Sequence, residues 1–87
     1  MKVYLVRKQF VIPLGEDDDD YKVVEETRSF ATYSEAFKQF NEYRGELADE
    51  VEEDELEDYI KDDDILSATT YSGKKLAVWI TEQNVIE

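Results

Sequence analysis

The segment 46–64, with the sequence ELADEVEEDELEDYIKDDD, constrains the possible folds of this chain more than any other feature. Twelve of its nineteen residues are carboxylates and Lys61 is its only cation, so the segment carries −11 of a net charge of −13. A second acidic run, Glu16–Asp20, adds −5, which leaves the rest of the chain at +3. Because the acidity is concentrated in two places, we expect a folded domain with a strongly polarised surface.

Length and composition favour one small domain over residues 1–87. The apolar share of 41% is too high for a disordered chain. The chain has no cysteine, which excludes disulfides and favours a cytoplasmic protein. The charged N-terminal stretch does not have the pattern of a signal peptide. A net charge of −13 argues against direct binding to nucleic acid or to an anionic membrane, because both would repel the chain.

Two hairpins and one helix are predicted from local patterns. Residues 2–12 and 21–30 are rich in β-branched and aromatic residues, and they form a hairpin whose loop contains the Glu16–Asp20 run. Thr32 and Glu35 have the spacing of a capping box, which predicts a helix over 32–44 that ends at Gly45. Residues 65–71 and 76–81 form a second hairpin with a glycine in its turn.

The acidic segment itself is predicted to form two short helices or one bent helix. Its apolar residues fall into two groups that lie about 140° apart around a straight helix axis. A bend near Glu53, with Asp54 as an N-cap and Glu57 three residues later, reconciles the two groups. The predicted fold is therefore α+β in the order ββααββ, with two β-hairpins in a mainly antiparallel sheet and the helices packed on one face. The predicted core residues are Phe37, Phe40, Val51, Tyr59, Ile60, Val78 and Ile80.

No catalytic, cofactor or metal site is predicted. The chain contains neither histidine nor cysteine, which removes the usual nucleophile–base pairs and imidazole ligands. A pair of carboxylates could serve a glycosidase, but such a pair must flank a substrate cleft, for which a domain of this size leaves little room. Neither acidic run has the glycine and glutamate positions of an EF-hand loop.

The density of carboxylates favours a partner with a basic surface. As a helix, the segment 46–64 would carry one carboxylate per ~2.4 Å, against one phosphate charge per ~1.7 Å of duplex DNA. A face made only for solubility ordinarily mixes in lysine and arginine, which this segment nearly excludes. The Glu16–Asp20 run is a possible second contact, with residues Glu16, Asp17, Asp18, Asp19 and Asp20. The candidate partner-binding residues are Asp49, Glu50, Glu53, Asp54, Glu57, Asp58, Asp62, Asp63 and Asp64.

A short chain with no cysteine or histidine, an acidic segment and a small sheet resembles the small phage-encoded inhibitors of host defence. That group includes anti-CRISPR proteins, uracil-DNA glycosylase inhibitors and restriction inhibitors that act as DNA mimics. The resemblance covers size, charge and element order, and no residue role is carried over from it. It implies a non-enzymatic inhibitor, in the host cytoplasm, that blocks a nucleic-acid-binding nuclease or repair enzyme.

Two other interpretations stay open. The acidic segment is compatible with a small intracellular interaction or regulatory subunit, in which the acidity serves solubility only. Such a protein would be recognised through a sheet edge or through aromatic residues near Tyr4, Tyr71 or Trp79. An enzyme is the third interpretation.

Overall fold

The computed structural model of the chain describes residues 1–15 and 20–85. The described part has one five-stranded antiparallel sheet with the strand order β2-β1-β5-β4-β3, and one α-helix. The α+β class is confirmed, but the predicted order ββααββ is wrong, because two strands and one helix are followed by three strands. The elements are β1 (Lys2–Pro13), β2 (Tyr21–Phe30), α1 (Tyr33–Glu50), a 3₁₀ turn (Glu53–Glu55), β3 (Leu56–Lys61), β4 (Ile65–Thr70) and β5 (Lys75–Asn84).

Both predicted hairpins are present. Strands β1 and β2 pair without a register shift from Tyr4 opposite Phe30 to Pro13 opposite Tyr21. Strands β4 and β5 are joined by a turn in which Gly73 adopts a positive φ of 96°, a conformation that favours glycine. The predicted loop residues Glu16–Asp19 lie outside the described part of the chain.

Helix α1 begins where the capping box predicts and ends later than expected. The side-chain oxygen of Thr32 accepts a hydrogen bond from the backbone N–H of Glu35 at 3.3 Å. The helix then continues through Gly45 to Glu50, so the predicted helix end at Gly45 is wrong. Gly45 has no positive φ, and Leu47 beyond it extends the buried stripe by another turn. Burial of that side chain outweighs the low helix propensity of one glycine.

The prediction that the acidic segment forms two short helices or one bent helix is wrong. The first residues of the segment, Glu46–Glu50, complete α1, whereas Leu56–Lys61 forms an edge strand. Asp54 is not an N-cap; it lies within the 3₁₀ turn, where the backbone N–H of Glu52 donates to the Glu55 carboxylate at 3.1 Å. A second acidic helix would place like charges four residues apart, and three aspartates at the negative end of its dipole. Pairing with β4 supplies the backbone hydrogen bonds of this segment without that repulsion.

The core lies between α1 and one face of the sheet. Phe40, Val78 and Ile80 are buried as predicted, and Val51 is half-buried against the core. The core prediction is wrong for Phe37, Tyr59 and Ile60, which are 37%, 49% and 52% exposed. The last two lie on β3, the outermost strand of the sheet. The buried apolar residues are Val6, Phe10, Ala36, Phe40, Tyr43, Leu47, Leu66, Ala68, Leu76, Val78 and Ile80.

Phe40 and Phe37 give a matched test of this core. Phe40 is 1% exposed, whereas Phe37 lies one turn earlier and stacks on it with ring centroids 6.1 Å apart. Phe40→Ala is expected to lower the free energy of unfolding by about 3–5 kcal/mol. Phe37→Ala is expected to cost about 1 kcal/mol, mainly from lost aromatic contact. Urea unfolding followed by circular dichroism measures both, and equal losses would contradict the assigned core.

Candidate functional site

The nine predicted carboxylates lie along one edge of the sheet. They are distributed over the last turn of α1, the 3₁₀ turn, strand β3 and the turn between β3 and β4. Since β3 is the outermost strand, these consecutive elements form a continuous border, which we call the acidic edge. Asp49 and Glu50 lie on the helix, whereas the other seven residues lie on β3 or on the turns at its two ends and not on a second helix. The acidic edge consists of Asp49, Glu50, Glu53, Asp54, Glu57, Asp58, Asp62, Asp63 and Asp64.

The charge of the acidic edge is not neutralised by nearby cations. All nine residues are exposed, and none forms an ion pair with another described residue. The ion pairs within residues 1–15 and 20–85 instead use Glu26, Glu46, Glu55 and Glu82. Of these, Glu55 lies in the 3₁₀ turn beside the acidic edge. The acidic edge thus presents its negative charges to solvent and to any partner that approaches.

Local hydrogen bonds orient part of the acidic edge. The Asp58 carboxylate accepts from the backbone N–H of Tyr59 at 2.9 Å, and the Asp62 carboxylate accepts from that of Asp63 at 2.8 Å. The Tyr33 hydroxyl donates to the Asp64 carboxylate at 2.7 Å, which ties the β3–β4 turn to the start of α1. That hydrogen bond to Asp64 also raises the pKa of Tyr33.

Lys74 holds the other end of the acidic edge in place. Its ammonium donates to the backbone carbonyl of Glu50 at 2.8 Å and to the Glu55 carboxylate at 3.2 Å. The hydrogen bond from the Glu52 backbone and the bond from Lys74 together lower the pKa of Glu55. The end of α1, the 3₁₀ turn and the β4–β5 turn are therefore connected by one cation, so the carboxylates between them are presented from a fixed backbone.

Only Asp20 of the second predicted contact lies in the described chain, and it is not part of the acidic edge. Of its five residues, Glu16–Asp19 lie outside the described chain, and Asp20 is exposed beside the first residue of β2. Strand β2 is the opposite edge of the sheet from β3. With neighbouring strands ~4.8 Å apart, the two edges are about 19 Å from each other.

An open groove lies between α1 and strands β3 and β4. It has a volume of about 760 Å³ and a floor that includes Leu56, Leu66 and Ala68. Arg44 and Lys61 line the groove, and neither forms an ion pair with another described residue. The groove contains no nucleophile paired with a base. In the described residues, no group of three carboxylates is arranged to hold a metal ion.

A buried lysine joins the helix to the sheet, and the sequence patterns did not identify its role. Lys8 is 7% exposed, and its ammonium lies 2.9 Å from the Glu46 carboxylate and 3.5 Å from that of Glu26. The same ammonium lies 4.7 Å from the centroid of the Tyr43 ring. The sequence does indicate that Lys8 is buried, because the alternation of β1 places it between Val6 and Phe10 on the apolar face of the strand. A charged side chain on the apolar face of a strand indicates a buried ion pair.

Comparison with protein-family models, with curated proteins and with solved structures finds no match to this chain. Functional interpretation therefore starts from the geometry and charge of the chain itself. No helix in residues 1–15 and 20–85 is long and apolar enough to cross a membrane.

The buried Tyr43 is expected to make the free energy of unfolding decrease at alkaline pH. Its hydroxyl has no hydrogen bond of good geometry among the described residues, although the Glu26 carboxylate is nearby. Burial, with a smaller contribution from Glu26, raises the pKa of Tyr43 to about 12 from an ordinary value of 10.0. Because the pKa of Tyr43 is higher in the folded state than in the unfolded state, its contribution to the free energy of unfolding is fully present below pH ~10. This contribution is lost as the pH rises to ~12. We expect a loss of about 2–3 kcal/mol over that range.

Urea unfolding at a series of alkaline pH values tests this expectation. Tyr43→Phe should remove most of the pH-dependent loss, because phenylalanine has no proton to release. Tyr71→Phe is the matched control, since Tyr71 is 74% exposed. The same loss in Tyr43→Phe as in the unmodified chain would show that another group is responsible.

Proposed function

We propose that this chain is a non-enzymatic inhibitor whose acidic edge occupies the basic nucleic-acid-binding groove of a host-defence nuclease, specifically a CRISPR effector. The observation that carries the proposal is the presence of nine exposed carboxylates, without ion pairs among the described residues, on one edge of a folded sheet. Such a surface attracts a basic groove and repels nucleic acid, so it competes with the polyanion that the groove normally binds.

The geometry supports a short phosphate-like track. Strand β3 has six residues and is ~20 Å long, with acidic groups at both of its ends and Glu57 and Asp58 near its start. One strand of DNA carries a phosphate charge every ~3.4 Å along the helix axis, so the track corresponds to roughly six nucleotides. Because the backbone of β3 is held by pairing with β4, the backbone that carries these carboxylates does not have to be ordered when a partner binds.

The distribution of cations also supports binding over mere solubility. Four of the ten lysines and arginines form ion pairs among the described residues, and none of these pairs uses a carboxylate of the acidic edge. The pair nearest to the acidic edge joins Lys74 to Glu55 in the 3₁₀ turn. Exposed surfaces that only keep a protein soluble have no need to separate the two signs of charge in this way. Concentrated like charge destabilises the fold through self-repulsion, so its retention on one edge favours a role in binding.

The alternative is an interaction or regulatory subunit recognised through its apolar surface. Tyr71 is 74% exposed and the helix-free side of the sheet carries Trp79, which are the observations that favour it. Tyr4 does not contribute, because it is half-buried and packs edge-to-face on Tyr33. In this case neutralising the acidic edge would leave the binding of the partner unchanged.

Amide substitutions separate the two functions. Glu53→Gln with Glu57→Gln removes two charges from the acidic edge, and Glu35→Gln with Glu42→Gln removes two exposed charges from α1, away from that edge. We expect the first pair to weaken competition with DNA for a purified CRISPR effector by about tenfold. The slope of log affinity against log salt should also fall by about two. The second pair should behave like the unmodified chain, with the fold of all variants checked by circular dichroism.

Fluorescence anisotropy of labelled DNA, displaced from the effector by increasing amounts of the chain, provides the measurement. Competition that does not weaken at high salt, or that is lost equally in both double variants, would contradict the electrostatic mechanism.

A further inference from the structure

One face of the sheet is not covered by any described helix. Helix α1 packs on the face that contains Val6, Phe10 and Val78. The register places the alternate residues of each strand on the opposite face, which we call the open face. Arg7, Trp79 and Ile65 form one row across its centre, and Gln9 and Ala77 begin the next. The apolar members of the open face are Val3, Leu5, Val11, Pro13, Tyr21, Val23, Ile60, Ile65, Ala77 and Trp79.

The open face differs from the rest of the surface in its charge. Its charged residues, read from the described register, are two cations and two anions, so its net charge is zero in a chain of net charge −13. The cations are Arg7 and Lys75, and the anions are Glu25 and Asp58. An antiparallel sheet that faces water on one side ordinarily alternates apolar and polar residues cleanly. Half-buried Leu5 and Trp79, together with 38%-exposed Ile65, depart from that pattern.

We propose that two copies of this chain pack their open faces together as a homodimer. Two chains of charge −13 repel each other, and the open face is the surface on which contact adds no like-charge repulsion. The same face carries both signs of charge, so a two-fold arrangement can bring Arg7 of one copy towards Glu25 of the other. The packing would give two sheets face to face, about 10 Å apart.

The area of the open face agrees with a stable dimer. Five strands ~4.8 Å apart, with ~3.3 Å per residue, give a footprint of about 700 Å² per copy for the observed strand lengths. The two copies together would bury about 1,400 Å², within the roughly 1,200–2,000 Å² of specific interfaces. Trp79 is near the centre of this area, where aromatic residues contribute most to interface energy.

Trp79 also makes the proposal measurable, because it is the single tryptophan of the chain. Analytical ultracentrifugation over a wide concentration range is expected to show a doubling of the 10.2 kDa monomer mass. The tryptophan emission should shift to longer wavelength on dilution, as the dimer dissociates. Raising the salt concentration should strengthen the dimer, since it screens the repulsion between the copies. Binding of the acidic edge to a basic partner has the opposite salt dependence, so the two proposals can fail independently.

Lysine substitutions on neighbouring residues locate the interface. Ile65→Lys and Ile60→Lys place a cation on the open face, whereas Tyr59→Lys places the same charge on the helix side of β3. Tyr59 and Ile60 are similarly exposed, at 49% and 52%, which makes them matched positions. We expect Ile65→Lys to weaken dimerisation about thirtyfold or more, Ile60→Lys to weaken it less, and Tyr59→Lys to leave it unchanged.

Three outcomes would overturn the proposal. The chain could remain a monomer at all concentrations, which would leave the open face to a different partner. It could form a dimer that tolerates Ile65→Lys, which would place the interface elsewhere. It could form a dimer that Tyr59→Lys and Ile65→Lys weaken equally, which would indicate an effect of charge and not of the open face.

Discussion

The structure depends on the packing of α1 against one face of the five-stranded sheet. Helix α1 has 18 residues and is ~27 Å long, which is enough to cover β1, β5 and part of β2 on one side. Lys8 fixes this arrangement, because its buried ammonium contacts Glu46 of the helix and Glu26 of β2. Removing one member of such a set leaves a buried charge without its partner, which is strongly destabilising. Three surfaces remain beyond the helix, namely the acidic edge, the groove beside it and the open face.

Local sequence patterns predicted the parts of the fold that depend on local interactions. The N-cap at Thr32, which is one half of the predicted capping box with Glu35, and the glycine turn between β4 and β5 are formed as expected, because each is satisfied by residues a few positions away. The Glu35 carboxylate accepts from the Thr32 hydroxyl and not from its backbone N–H. The predictions of a helix end at Gly45 and of a second helix were wrong for the same reason. Burial of Leu47 carries α1 past its glycine, and pairing with β4 makes 56–61 a strand. Both are tertiary effects that outweigh local propensity.

The candidate site was predictable in composition but not in arrangement. Counting charges was sufficient to locate the acidic segment from which the nine candidate carboxylates come. Their positions relative to one another depend on β3 being an edge strand, whereas the spacing of Leu56, Tyr59 and Ile60 also fits a helical period. The function of Lys8 was missed because its partners come from two different elements, at separations that no local pattern records.

The central claim is that a basic partner binds the acidic edge. Amide hydrogen exchange measured on the complex with a CRISPR effector tests this claim most directly. Amides of an edge strand that face away from the sheet exchange quickly unless a partner covers them. Bound effector should slow exchange over 52–64 and leave β2, the opposite edge, unchanged. Unchanged exchange over 52–64 in a complex shown to be saturated would contradict the account.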